Sequence, residues 1–217
     1  MADISIKFPD GAVKAFPAGT TPADVAKSIS ISLAKKAVAA KLDGQLVDYL
    51  TPLASDGSIE IVTKDSDDGL TVLRNTTAAL LRIALKKEFP AIRLGKVSAD
   101  EDGFFVDTDK DDQQVSVDEL DALAVIVEKL VSDKLDIERI TVSKADALAD
   151  AKDDQFTTAL INAVDGDSVP FLKIGDYQIL SDGAQLTNTG DVKKFKLLSV
   201  AGAYWQGTTS HPMLQRI

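Results

Sequence analysis

Apolar and polar residues alternate from the start of the chain. Ile4, Ile6 and Phe8 fall on one side of Asp3–Phe8, the two-residue period of a half-buried strand. Pro9-Asp10-Gly11 is a turn signal, and Val13–Phe16 reads as the returning strand. At Thr21 the period lengthens. Thr21 can cap a helix whose first position is Pro22, with Val25, Ala26 and Ile29 facing inward. Ala37–Leu42 and Gln45–Val47 read as strands joined by a tight Asp43-Gly44 turn. Ser58–Thr63 is the last strand of this block, with Ile59, Ile61 and Thr63 inward.

Lys64–Asp68 is a short polar linker. In Gly69–Pro90, Leu70, Leu73, Leu80, Leu81, Ala84 and Leu85 recur at three- and four-residue spacing, the stripe of an amphipathic helix. Asp67 and Asp68 are candidate caps, and Pro90 ends the helix. Asn75 and Ala79, four apart, share one face. Ile92–Ser98 and Phe104–Asp107 suggest a hairpin around the acidic turn Ala99–Gly103. Asp107–Asp112 is rich in carboxylates but lacks the central glycine and terminal glutamate of an EF-hand, so it reads as a solvated loop.

Ser116-Val117-Asp118-Glu119 is a capping box opening a helix to about Ser132, with Leu120, Leu123, Val127 and Leu130 on one stripe. Ile137–Val142 reads as a strand. Ser143 caps a short helix holding Ala145, Leu148 and Ala149, and another helix spans Gln155–Ala163. Strands follow at Phe171–Ile174, Tyr177–Leu180 and Phe195–Val200. The expected fold is α+β in two domains. Residues 1–64 form a small β-grasp, and residues 65–217 lay helices on an antiparallel sheet.

Composition narrows the chemistry. No apolar run approaches the ~20 residues of a membrane-spanning helix. The first residues show neither the basic start nor the apolar stretch of a signal peptide. A cytoplasmic protein with no membrane partner is expected. Cysteine is absent and histidine occurs once, at His211, so thiolate chemistry is excluded and no metal site is expected. His211, beside Pro212 in a polar stretch, reads as a solvated side chain. The net charge of −10 argues against tight non-specific nucleic-acid binding. Residues 1–64 carry seven Lys/Arg and seven Asp/Glu, so the negative excess lies wholly after Lys64.

The segment Asn75-Thr76-Thr77-Ala78-Ala79-Leu80-Leu81 resembles the helix that opens the editing domain of threonyl-tRNA synthetases. That family reads H-x-x-x-H followed by Leu-Leu. Ser181-Asp182-Gly183-Ala184-Gln185 stands where the family has C-x-x-x-H. The first block is similar to a TGS domain through Phe8-Pro9-Asp10-Gly11, Ala23-Asp24-Val25-Ala26, Asp43-Gly44-Gln45-Leu46-Val47-Asp48 and Ile59–Thr63. Ala201-Gly202-Ala203-Tyr204-Trp205-Gln206-Gly207 and Met213-Leu214-Gln215-Arg216-Ile217 resemble the join between editing domain and catalytic core in bacterial-type members. The resemblance covers essentially the whole chain. It implies the N-terminal part of a longer enzyme, cut at a domain boundary.

The resemblance also implies which groups are missing. The family's pocket hydrolyses serine wrongly joined to threonine tRNA, which needs a positioned water and groups that move protons. Here Asn75, Ala79, Ser181 and Gln185 replace the His and Cys positions. Ile179 falls where the family has a carboxylate, and Thr157, after Phe156, where it has a lysine. None of the six titrates near neutral pH. The expectation is a vestigial editing pocket with no catalytic residue. A pocket rebuilt around Ser181 and Asp182 would still lack a base or a metal.

Arg82, Lys86, Lys87, Arg93 and Lys96 are candidate contacts to the acceptor arm of threonine tRNA. They can equally be a solvated helix end whose cations suit its dipole. The parent is expected to be a homodimeric threonine–tRNA ligase, with ATP and zinc in its catalytic core. This part by itself is expected to be a monomer, inactive in both aminoacylation and editing, with no cofactor of its own. The alternative is a free-standing adaptor that keeps both folds as a binding module.

Overall fold

Alternation in β1 (Asp3–Lys7) buries Ile4 and Ile6 and leaves Asp3, Ser5 and Lys7 exposed. The computed structural model describes residues 3–111 and 114–217. β2 (Val13–Pro17) returns antiparallel to β1. Helix α1 (Pro22–Ile29) opens with a capping box in which Thr21 and Asp24 exchange hydrogen bonds. A second helix, α2 (Ile31–Lys36), follows after the extended residue Ser30, whose hydroxyl caps it. β3 (Ala37–Leu42) and β4 (Gln45–Asp48) flank Asp43 and Gly44, whose φ values of 48° and 86° are the left-handed pair of a two-residue hairpin turn.

β5 (Gly57–Thr63) runs parallel to β1 and antiparallel to β3, giving the order β2-β1-β5-β3-β4. Ile4, Ile6, Phe16, Val25, Leu53 and Ile59 form the core, and α1 packs on β3 and β5. This is a β-grasp. Three expectations change here. Helix α2 is additional. Ile29 is 49% exposed because α1 ends there. Val62 is buried while Ile61 and Thr63 are only partly so, at the register shift between Ala37 and Ala39 of β3.

The chain divides into two compact units. One takes in residues up to Thr76 together with Gly183–Thr187, and the other Thr77–Asp182 and Asn188–Ile217. Helix α3 (Asp67–Glu88) runs from the first into the second. Its cap is Ser66, whose Oγ accepts the Gly69 amide at 3.1 Å, rather than Asp67 or Asp68. Those aspartates lie in the first turn, where the helix dipole favours negative charge. The one-sided stripe also needs correction. Leu70 is 39% exposed and Leu73 half-buried, whereas every residue from Thr76 to Leu85 is buried. The small side chains of Thr76, Thr77, Ala78 and Ala79 allow close packing on all sides, which a helical period does not reveal.

In the second unit, β6 (Arg93–Ala99) and β7 (Phe104–Asp109) pair antiparallel. Helix α4 (Val117–Ser132) begins with both bonds of the Ser116–Glu119 capping box in place. β8 (Ile137–Ser143), α5 (Lys144–Asp150), α6 (Gln155–Asn162), β9 (Ser168–Ile174) and β10 (Tyr177–Leu180) follow. β11 (Ala201–Tyr204) and β12 (Met213–Arg216) complete a sheet ordered β11-β12-β7-β6, and the other sheet is β10-β9-β8. All these pairings are antiparallel. Helix α6 packs on β6, and α5 on β8 and β9.

The expected strand at Phe195–Val200 is absent. Its residues alternate but have no partner strand, and pairing begins at Ala201. The acidic segment is not a solvated loop from Asp107 on. Strand β7 continues to Asp109, Asp107 is 2% exposed and Arg216 neutralises it. Asp112 lies outside the described residues. His211 is half-buried, and its Nδ1 lies 3.0 Å from both Thr208 Oγ1 and the Trp205 carbonyl oxygen. Among the described residues, no helix is long and apolar enough to cross a membrane.

Candidate functional site

The positions of interest divide between the two units. In the first, Asn75 Nδ2 donates to the Ala184 carbonyl at 3.1 Å, bringing the changed helix motif against the backbone of the second motif. One helical position on, the buried Thr76 hydroxyl donates to Val72 O and accepts the Leu186 amide at 2.9 Å. Gln185 is buried, and its backbone N–H donates to Asp48 Oδ1 at 2.7 Å. Gly183 has φ of +65°, and a Cβ there would meet Asn75 Nδ2 at 2.5 Å. Glycine suits both this left-handed backbone and the close approach, and any larger residue would have to displace the Asn75 side chain. Asn75 is therefore a structural amide that fastens a turn.

In the second unit, Ala79 on α3 contributes a buried methyl group. Ser181 follows β10, and its Oγ accepts from Arg139 NH1 at 2.5 Å. A serine nucleophile gives its proton to a neighbouring base. This one instead accepts from a permanently charged donor. On either side of Ser181, Arg82 NH1 donates to Leu180 O at 2.7 Å and to Asp182 Oδ2 at 2.6 Å. Burial pushes the Asp182 carboxyl above its ordinary value, and the charges of Arg82 and Arg139 pull it back. Sequence reasoning missed Arg139, because nothing local ties it to a serine 42 residues away.

A cavity of about 240 Å³ in this unit is lined by Arg82, Lys86, Asp154, Thr157, Ile179 and Leu180, among others. It brings Thr157 and Ile179 to one space. Ile179 offers it only hydrocarbon. The Thr157 hydroxyl lies 2.9 Å from Asp154 Oδ2 and 3.2 Å from the Leu94 carbonyl oxygen. Asp154 accepts the Phe156 and Thr157 amides with Oδ1 and the Leu94 amide with Oδ2, capping α6 and tying it to β6. An aspartate directly before a helical stretch is the signal that could have identified this cap.

The five cations behave differently from one another. Arg82 is 3% exposed and engaged with Asp182, so it does not belong to a phosphate-facing surface. Lys86 donates to the Ile92 carbonyl and lies 3.7 Å from Asp154 Oδ2. Burial lowers its pKa, with Asp154 opposing. Arg93 is held by Asp109 at 2.7 Å and Asp111 at 2.5 Å. Lys87 and Lys96 are exposed.

Fold and sequence together define a TGS-bearing α+β chain, since residues 4–63 match the model of the TGS domain. Over its whole length the chain is 99% identical to the threonine–tRNA ligase of Levilactobacillus brevis, covering 34% of that protein. It is 53% identical to the threonine–tRNA ligase of Lactiplantibacillus plantarum and 47% to that of Ligilactobacillus salivarius. All of this chain is aligned in both, against 34% of each relative. The chain thus spans about a third of the length of the curated relatives it matches. Over its whole length it is similar to the N-terminal region of threonine–tRNA ligases.

Proposed function

We propose that this chain is the TGS and editing-type part of an enzyme that joins threonine to its tRNA using ATP, and that its editing pocket no longer hydrolyses serine esters. In this reading residues 1–64 are the TGS domain and residues 65–217 the editing-type domain. Aminoacylation belongs to the rest of a cytoplasmic, homodimeric ligase. ATP and zinc are taken there; with no cysteine and a single histidine, this chain is a poor source of zinc ligands. The acceptor arm of threonine tRNA is the partner, and Lys87 and Lys96 are the exposed cations left to meet its phosphates.

The observation that carries the loss of editing is the state of Ser181. Its hydroxyl is the one nucleophilic group left among the four changed motif positions, and it accepts a hydrogen bond from Arg139 at 2.5 Å. Asn75 and Gln185 do not titrate, and Ala79 has no polar side-chain atom. Near-identity to a ligase of which the chain covers 34% supports this reading over a free-standing adaptor.

The test is release of serine from serine-charged threonine tRNA by this chain, beside an editing domain that keeps its His and Cys residues. The expected result is no release above the buffer rate. Clear release overturns the proposal.

A further inference from the structure

Resting on that reading, we infer that the second unit is held by a charged clamp around Ser181, and that Arg82 itself helps withhold hydrolysis. Arg82 is 3% exposed, a position where an arginine is tolerated only when its charge is paired. Its NH1 holds Leu180 O and Asp182 Oδ2, the residues that bracket Ser181. Arg139 holds the Ser181 hydroxyl itself. The serine is therefore fixed from both flanks and at its Oγ.

The guanidinium also lines the same cavity as Thr157 and Ile179, the positions where the family's lysine and carboxylate are expected. It brings to that space a charge that cannot act as a base. Arg82 is thus a positioning residue for the Leu180–Asp182 segment. Supplying the missing His and Cys side chains alone leaves that segment clamped. The pair is imperfect, since Arg82 Nε is buried with no hydrogen-bond partner. Replacing both members by apolar groups is accordingly gentler than stranding either one.

Two measurements on the 217-residue chain test the clamp. The first is thermal unfolding of Arg82→Met, Asp182→Leu and the double variant. Asp182→Leu strands the buried guanidinium and is expected to lower Tm by roughly 5 °C or more, and Arg82→Met by less, because Asp182 keeps 32% of its side-chain surface in solvent. The double variant should fall by less than the sum. Additive or negligible shifts overturn the clamp.

The second is serine-tRNA deacylation by a chain carrying Asn75→His, Ala79→His, Ser181→Cys and Gln185→His, with and without Arg82→Ala. Release roughly 10²-fold above buffer only when Arg82 is also replaced is the expected result. Equal release with Arg82 present overturns the clamp and leaves the proposed loss of editing standing. No release from either variant also overturns it, because Arg82 is then not what withholds activity. Release by the unmodified chain instead overturns the underlying reading.

Discussion

The amide of Leu94 and the carboxylate of Asp154, 60 residues apart in sequence, meet at 2.9 Å. The same side chain caps α6 by accepting the Phe156 and Thr157 amides, so one buried aspartate fastens a helix start to a strand of the neighbouring sheet. Asp154→Ala leaves these buried donors unanswered. It is expected to cost about 2–3 kcal/mol, combining a lost cap with stranded amides. Asp154→Asn keeps one oxygen and should cost less. Urea unfolding of both variants checks the order. A loss below about 0.5 kcal/mol for the alanine variant would show the bonds to be incidental.

The capping box of α4 makes stability depend on pH. The Ser116 amide is the largest influence and lowers the Glu119 pKa; burial opposes it, and Lys110 adds to the lowering. The folded value lies below the unfolded one, so between the two the unfolded chain binds more protons. The contribution is therefore complete above the ordinary glutamate value and is lost as pH falls through the lowered one. Ser116→Ala should cost about 1 kcal/mol near neutrality. Glu119→Gln should also lower Tm near neutrality, and its gap from the native chain should close in acid. A gap that stays constant with pH would remove the charge from this account.

Gly183 and Asn75 meet closely at the centre of the second motif, so a side chain at 183 must displace Asn75. Alanine at 183 must hold φ at +65° and bring its methyl to 2.5 Å from Asn75 Nδ2. Gly183→Ala should cost about 1–2 kcal/mol from the left-handed backbone alone, and more while Asn75 is present. In an Asn75→Ala background the steric part disappears and the backbone part remains. The two substitutions should therefore be non-additive, which a double-mutant cycle by urea unfolding measures directly. Simple additivity would mean that Asn75 swings aside freely.

What is legible in the sequence is local. The β3 and β10 bounds match the hydrophobic pattern residue for residue, and the box at Ser116–Glu119 forms as its spacing implies. In each case the determinants lie within a few residues of one another. Burial of α3 on all sides is not local, because the small residues that permit it look the same on an exposed face. Arg82 shows the consequence. Sequence places it among surface cations near Lys86, whereas its partners Leu180 and Asp182 lie 98 and 100 residues away. The changed motif positions are readable by resemblance. The bond that holds Ser181 is not, since Arg139 reaches it from β8, 42 residues away.

Asp107 and Arg216 carry this lesson into the sheet. Arg216 donates from Nε to Asp107 Oδ1 at 2.7 Å and from NH2 to Oδ2 at 2.9 Å, a two-point fork that joins β12 to β7 beside their backbone pairing. The carboxylate is almost wholly enclosed while the guanidinium keeps 39% of its surface in solvent. The two partners are therefore unequal. Removing Arg216 strands a buried negative charge, whereas removing Asp107 leaves a cation that water can still reach. Arg216→Ala should cost about 2–4 kcal/mol, discounting the fully buried figure for the solvent at the arginine end. Asp107→Asn, which keeps the shape and removes the charge, should cost less. Arg216→Lys should recover only part of the loss, because a lysine offers a point charge in place of the planar fork. Unfolding midpoints in guanidinium-free urea rank the three variants. If lysine restores full stability, charge alone holds the two strands and the bidentate geometry contributes nothing.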